Sequence, residues 1–206
     1  MEPADLEGIA AAILREAGLD GTEQPDVAAL AACLLGPDGL SFERGGLTRD
    51  AMLDAVGDDW VIRARIALPL HRLRFVVCHE IAEWWLSTRE RYQGENIENA
   101  ANYIAAALIA PPAAFRAALR YHGRDFRALA AAFVASETTI ALRDAELHRI
   151  ARVVVAPNLR VRGPESFVWP AERILRGWAA EGGPGLARTR LTDDPRRVVL
   201  DVDDTG

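Results

Sequence analysis

The chain has 206 residues, 50% of them apolar and 26% charged. That suits one medium domain with a real core plus small additions, and it excludes a chain disordered as a whole. A net charge of -6 with a pI near 5.3 excludes the overall basic footprint of a nucleic-acid binder. Two cysteines are too few for a disulfide framework. Apolar runs such as Tyr103 to Ala110 fall far short of the ~20 residues a membrane span needs. Met1-Glu2-Pro3-Ala4-Asp5 is acidic where a secretory signal is basic, so a cytoplasmic location is expected. Cys33 and Cys78 then read as small buried hydrophobes in a reducing compartment. Every basic residue is arginine and alanine is abundant, a coding bias that points to a GC-rich bacterium.

In chain order, Leu6, Ile9, Ala10, Ile13, Leu14 and Ala17 fall at helical spacing, so a helix is expected over 5–17, stopped by Gly18. A second helix is expected from Asp26 to Leu35, between Pro25 and Gly36-Pro37. Leu40 to Glu43 and Trp60 to Leu68 read as strands, with the Gly45-Gly46 turn between them. The second strand alternates, setting Ile62, Ala64, Ile66 and Leu68 against Val61, Arg63, Arg65 and Ala67. Helices follow over about 71–86 and 96–110, the latter closed by Pro111-Pro112, and shorter ones continue to about Ile150. Beyond Arg152 the texture turns strand-like in Val153 to Val155, Leu159 to Val161, Ser166 to Trp169 and Val198 to Val202. A short helix near Ala171 to Ala180 interrupts these strands.

The chemistry is concentrated in the first of those central helices. On a helix, His79 and Glu83 share a face one turn apart, and Glu80 sits beside them. Leu73, Val77, Ile81, Trp84 and Trp85 cover the opposite face, while Phe75, Val76 and Leu86 flank the polar one, as in a buried helix. Ionisable groups clustered in such a helix need partners, and a divalent cation supplies one. The string is one residue away from H-E-x-x-H, in which two histidines bind zinc and the glutamate activates its water. Glu83 occupies the second ligand position, and glutamate is a legitimate zinc ligand. A carboxylate-rich set would also suit Mn2+ or Fe2+. A catalytic zinc site takes three protein ligands, and Glu98 on the next helix is the candidate for the third. Asn102, one turn later, could orient Glu98 by a hydrogen bond. The small alanines of that helix would let it pack close.

Taken together, Arg74-Phe75 leading into His79-Glu80, the later Glu98 and Asn102, and the Ala105 to Pro111 ending resemble the ImmA/IrrE family of metallo-endopeptidases. The likeness runs from about residue 5 to 145 and includes the first helix pair and strand. It implies His79 and Glu98 as metal ligands, Glu80 as general base, and a helix-turn-helix repressor or similar regulatory protein as substrate. Glu83 departs from the histidine most members carry. A non-catalytic relative that binds a transcriptional regulator is the alternative.

The segment 125–145 reads as helix, turn near Val134 to Ser136, and helix, resembling a helix-turn-helix. Residues 113–150 hold six arginines against four acids, a net +2 that is weak for a duplex binder, so a DNA-associated regulator is a third alternative. Of the other histidines, His71 is expected to cap or pack at a helix start, His122 to sit in a turn, and His148 at the surface. Trp84 and Trp85 are expected in the core, Trp169 and Trp178 to bury the C-terminal part, and Arg63 and Arg65 to line a solvated strand face.

The expectation is therefore an α+β protein: a mostly helical zincin-like peptidase domain with a small sheet (1–115), a helix-turn-helix-like segment (116–150) and a small β-rich C-terminal unit (151–206). Its metal would be Zn2+, its partner a protein, and DNA and membrane are not expected.

Overall fold

A computed structural model describes residues 3–90, 97–148, 152–155, 160–162, 176, 179–180, 187–191, 193 and 197–201. Two compact units make up the chain: Met1–Tyr121 with Phe133–Ala135, and His122–Ala132 with Ser136–Gly206.

The first unit opens with helices α1 (Pro3–Glu16) and α2 (Val27–Leu35). Asp26 caps α2, its carboxylate accepting the N–H groups of Ala28 and Ala29 at 2.9 Å each. Strands β1 (Leu40–Glu43), β2 (Ala51–Val56) and β3 (Asp59–Arg65) form a sheet in the order β1-β3-β2. β1 runs parallel to β3, and β2 antiparallel to it. β2 was not expected from the sequence. It exists as the partner of β3, with Val56 paired to Asp59 across Gly57-Asp58. Gly57 sits at φ 65°, the left-handed backbone that a two-residue hairpin turn needs.

The alternation of β3 holds where the sheet is covered, with Ile62 and Ala64 fully buried. The strand ends at Arg65, short of the expected Leu68, and Ile66 is exposed. Arg63 and Arg65 are not simply solvated. Arg63 pairs with Glu43 and Asp54, and Arg65 with Asp50, which ties the polar face of the sheet together.

Helix α3 (Leu70–Thr88) packs on this sheet and against α4 (Ile97–Ile109), which also packs on α1. The alanines at 100, 101, 105, 106, 107 and 110 are all buried. Arg74, buried in α3, donates to the carbonyl of Pro25 at 3.0 Å and so ties α3 to the start of α2. Trp84 and Trp85 are buried, as expected. His71 lies in the first turn of α3 and is exposed, without capping the helix; Pro69 holds the cap position and offers no donor or acceptor side chain. Cys78 is buried, but Cys33 is exposed, because its position on α2 faces away from the buried stripe of Val27, Leu30, Ala31 and Leu35. Helix α5 (Pro112–His122) starts on a proline and buries Phe115.

Helices α6 (Phe126–Phe133) and α7 (Glu137–His148) flank the expected turn, in which Val134 takes φ 46°. Strands β4 (Arg152–Val155), β5 (Arg160–Arg162), β6 (Ala187–Arg190) and β7 (Val198–Asp201) form an antiparallel sheet in the order β5-β4-β7-β6. β6 is a further strand the sequence did not announce. Within the second unit Asp144 is fully buried and accepts Arg152 at 2.7 Å, with His148 and Arg124 also in range. The expected strand 166–169, Trp169 and Trp178 lie outside the described residues, as does most of the helix expected over 171–180. Among the described residues no helix is long and apolar enough to cross a membrane.

Candidate metal centre

The centre forms where α3 and α4 approach each other. Position 79 is carried on a helix buried on both sides, and the imidazole is only 13% exposed. Phe75, one turn earlier, stacks on the His79 ring at 6.4 Å between centroids. The Arg74-Phe75 pair thus has two tasks, one anchoring α3 and one bracing the imidazole. His79 Nδ1 is buried with no hydrogen-bond partner, so the polar contacts of the ring run through Nε2.

Nε2 stands 3.4 Å from Glu83 Oε1 and 3.6 Å from Glu98 Oε2. One donor atom from each of His79, Glu83 and Glu98 lies within 4.8 Å of the others. Ligands about 2.0–2.2 Å from a tetrahedral zinc stand about 3.4 Å apart, so the spacing around Nε2 fits a small divalent cation. The donor chemistry fits as well, one imidazole nitrogen and two carboxylate oxygens. Glu98 is 68% exposed, so the centre faces solvent from the α4 side.

The electrostatics are those of a compact acid cluster around one imidazole. Burial disfavours charge on His79, yet the hydrogen bond and charge of Glu83, with the charges of Glu98 and Glu80, outweigh it and raise its pKa. Glu83 moves the other way, its carboxyl held below the usual range chiefly by its hydrogen bond with His79. Glu80 is 9% exposed, and burial raises its pKa. The charge of His79 partly offsets that rise, with smaller contributions from the backbone of Leu53, on edge strand β2, and from the charge of Arg49. Asn102 donates to the main-chain carbonyl of Glu98 at 2.8 Å and to its Oε1 at 3.5 Å, so its stronger bond is to the backbone of α4.

A cleft of about 320 Å³ opens beside these groups. Its walls come from α3 (Glu80, Glu83, Trp84), the end of the β1–β2 loop (Thr48, Arg49), and β2 (Met52, Leu53). Trp84 therefore serves both the core and the cleft. Neither Arg49 nor the β2 residues were singled out from the sequence. The detectable signal for β2 was Gly57-Asp58 between two apolar stretches. His71, His122 and His148 are not part of the set. In α7, Arg143 is fully buried against Glu146, so the 125–145 segment offers a nucleic acid less exposed positive charge than the sequence suggested.

A histidine–glutamate pair on a buried helix, a second helix supplying another carboxylate, and a small flanking sheet define a metallopeptidase-like domain of α+β, zincin-like build. Residues 42–143 match the family model of the IrrE N-terminal-like domain, peptidase family M78, and the chain belongs to the ImmA/IrrE family. A solved structure described as a Mycobacterium tuberculosis transcriptional regulator shares the fold. Its TM-score is 0.65 at 15% identity, over 97% of this chain and 76% of that one. No curated protein matches the chain by sequence.

Proposed function

We propose that the protein is a metal-dependent endopeptidase of the cytoplasm whose substrate is a regulatory, repressor-type protein. The observation that carries this reading is the placement of His79 Nε2 at 3.4 and 3.6 Å from carboxylates of two helices, with buried Glu80 beside them at a cleft. His79, Glu83 and Glu98 would hold Zn2+, and Mn2+ or Fe2+ would also suit the carboxylate-rich set. When bound, the ion supplies Lewis acidity for the peptide carbonyl and makes a water acidic enough to ionise near neutral pH.

Glu80 takes the proton from the attacking water and returns it to the leaving nitrogen. Its burial suits it to hold that proton between the two steps. Asn102 steadies the first turn of α4, from which Glu98 projects. Family membership supports a regulatory substrate, and so does the regulator among the proteins of similar fold.

The test is elemental mass spectrometry of the purified protein beside His79→Ala, Glu98→Ala and Glu80→Gln, with cleavage of a candidate repressor followed in parallel. Near-stoichiometric metal that falls in the first two variants and stays in the third, with cleavage lost in all three, is expected. Retained cleavage in Glu80→Gln refutes the role given to Glu80. The presence of Glu83 where histidine is usual favours a second reading, a non-catalytic relative that binds a regulator. A tight complex with an intact repressor and no cleavage under any metal would select it.

A further inference from the structure

Peptide hydrolysis at such a centre needs a donor for the carbonyl oxygen as well as a base, a role open to tyrosine, histidine or arginine. Among the described residues lining the cleft there is no tyrosine and no histidine, and Arg49 is the one cation. The loop that carries it is held by Arg65 and Arg72. Arg65 donates to the carbonyls of Leu47 and Arg49 at 3.4 and 3.3 Å. Asp50 pairs with Arg65 at 3.4 Å and with Arg72 at 2.8 Å. The N–H of Arg65 also donates to the Asp50 carbonyl at 2.9 Å, closing the loop onto the end of β3.

These contacts consume Arg65 and Arg72 and leave the Arg49 guanidinium uncommitted. Among the described residues it stands within 4 Å of no carboxylate, although its charge is felt by both Glu80 and Glu83. An uncommitted guanidinium on a stapled loop, in the same cleft as the base, is a donor already in place for an anion that forms later.

We infer that Arg49 is a catalytic residue, donating to the substrate's scissile carbonyl oxygen and stabilising the negative charge that develops on it. The inference rests on the peptidase reading above. In the step, water adds to the carbonyl carbon, Glu80 takes the water's proton, and the carbonyl π pair moves onto the oxygen that Arg49 contacts. The C–N bond then breaks as that pair returns, and the proton held by Glu80 passes to the nitrogen, giving a carboxylic acid and an amine.

The experiment measures binding of a phosphoramidate dipeptide, N-phosphoryl-leucyl-tryptophan, whose tetrahedral anion mimics that charge. Zn2+-loaded wild type, Arg49→Ala and Arg49→Lys are titrated by calorimetry. Imidazole, an uncharged metal ligand, serves as the control probe, and zinc content and melting temperature are recorded for each protein. A charge-assisted hydrogen bond predicts phosphoramidate affinity about 10- to 100-fold weaker in Arg49→Ala and partly restored in Arg49→Lys. Imidazole affinity, zinc content and melting temperature should not change. Equal phosphoramidate affinity in Arg49→Ala, or no binding to zinc-loaded wild type, overturns the inference while leaving the metal centre standing. Loss of zinc or of imidazole binding in Arg49→Ala also overturns it, since Arg49 would then be part of the scaffold. Wild type that takes up no metal removes the peptidase reading and the inference together.

Discussion

Replacing Ala105 by leucine tests whether helix packing sets the metal centre. Ala105 lies two turns after Glu98, on the face of α4 that carries Glu98 toward His79. It is fully buried, as are its neighbours Ala101 and Leu108 on that side. Leucine adds three carbons to an interface already filled. Overpacking of this kind costs about 1–3 kcal/mol, and complete burial places Ala105→Leu near the upper end. The strain is relieved most readily by moving α4 away from α3, and that motion carries Glu98 with it. Oxygen and nitrogen now stand 3.6 Å apart, and metal–ligand distances tolerate only about 0.2 Å of error. A displacement of about 1 Å therefore takes Glu98 out of reach, and by comparison with other mutations that misplace ligands should weaken zinc affinity about 10- to 100-fold. Zinc competition against a chromophoric chelator and denaturant titration of the metal-free protein measure the two effects. Ala105→Ser, nearly isosteric, should retain wild-type zinc affinity. If Ala105→Leu loses the stability but binds zinc as tightly as wild type, the alanine face does not set the ligand spacing.

Other consequences of the structure can be checked directly. Arg152→Met should destabilise the second unit by about 3 kcal/mol, the low end for breaking a buried pair, because Asp144 keeps Arg124 and His148. Adding Asp144→Leu should recover much of that loss in thermal denaturation; a double variant less stable than Arg152→Met would contradict the account. Asp26→Ala removes an acceptor from two N–H groups and should cost about 1 kcal/mol in a denaturant melt, with zinc content unchanged. A thiol reagent at pH 8 should label Cys33 quickly. Cys78, pushed up to about 12 by burial, stays protonated and should react only on unfolding. Two fast thiols in the native protein would refute the burial of Cys78.

What the sequence disclosed depended on whether the cause of a feature was local. Asp26 behind Pro25 and ahead of an apolar run announces its own helix, and α2 begins there. His79 and Glu83 share a face because both ride one helix, so their meeting follows from spacing alone. Glu98 is different, since its oxygen reaches Nε2 only because α3 and α4 pack closely. The alanines hinted at that approach, but only the three-dimensional arrangement gives the distance. β2 was the hardest case, because Ala51-Met52-Leu53-Asp54-Ala55-Val56 has neither alternation nor strong strand preference. It is a strand because β3 lies across a two-residue turn, and Gly57-Asp58 was the one local trace of that pairing. That strand matters to the site, for Met52 and Leu53 line the cleft with Glu80, and its partner β3 carries the arginine that fixes the loop at Arg49. A candidate ligand pair can thus be read from one helix. The surroundings of the proposed base and oxyanion donor are set by contacts between elements, which the sequence alone does not give.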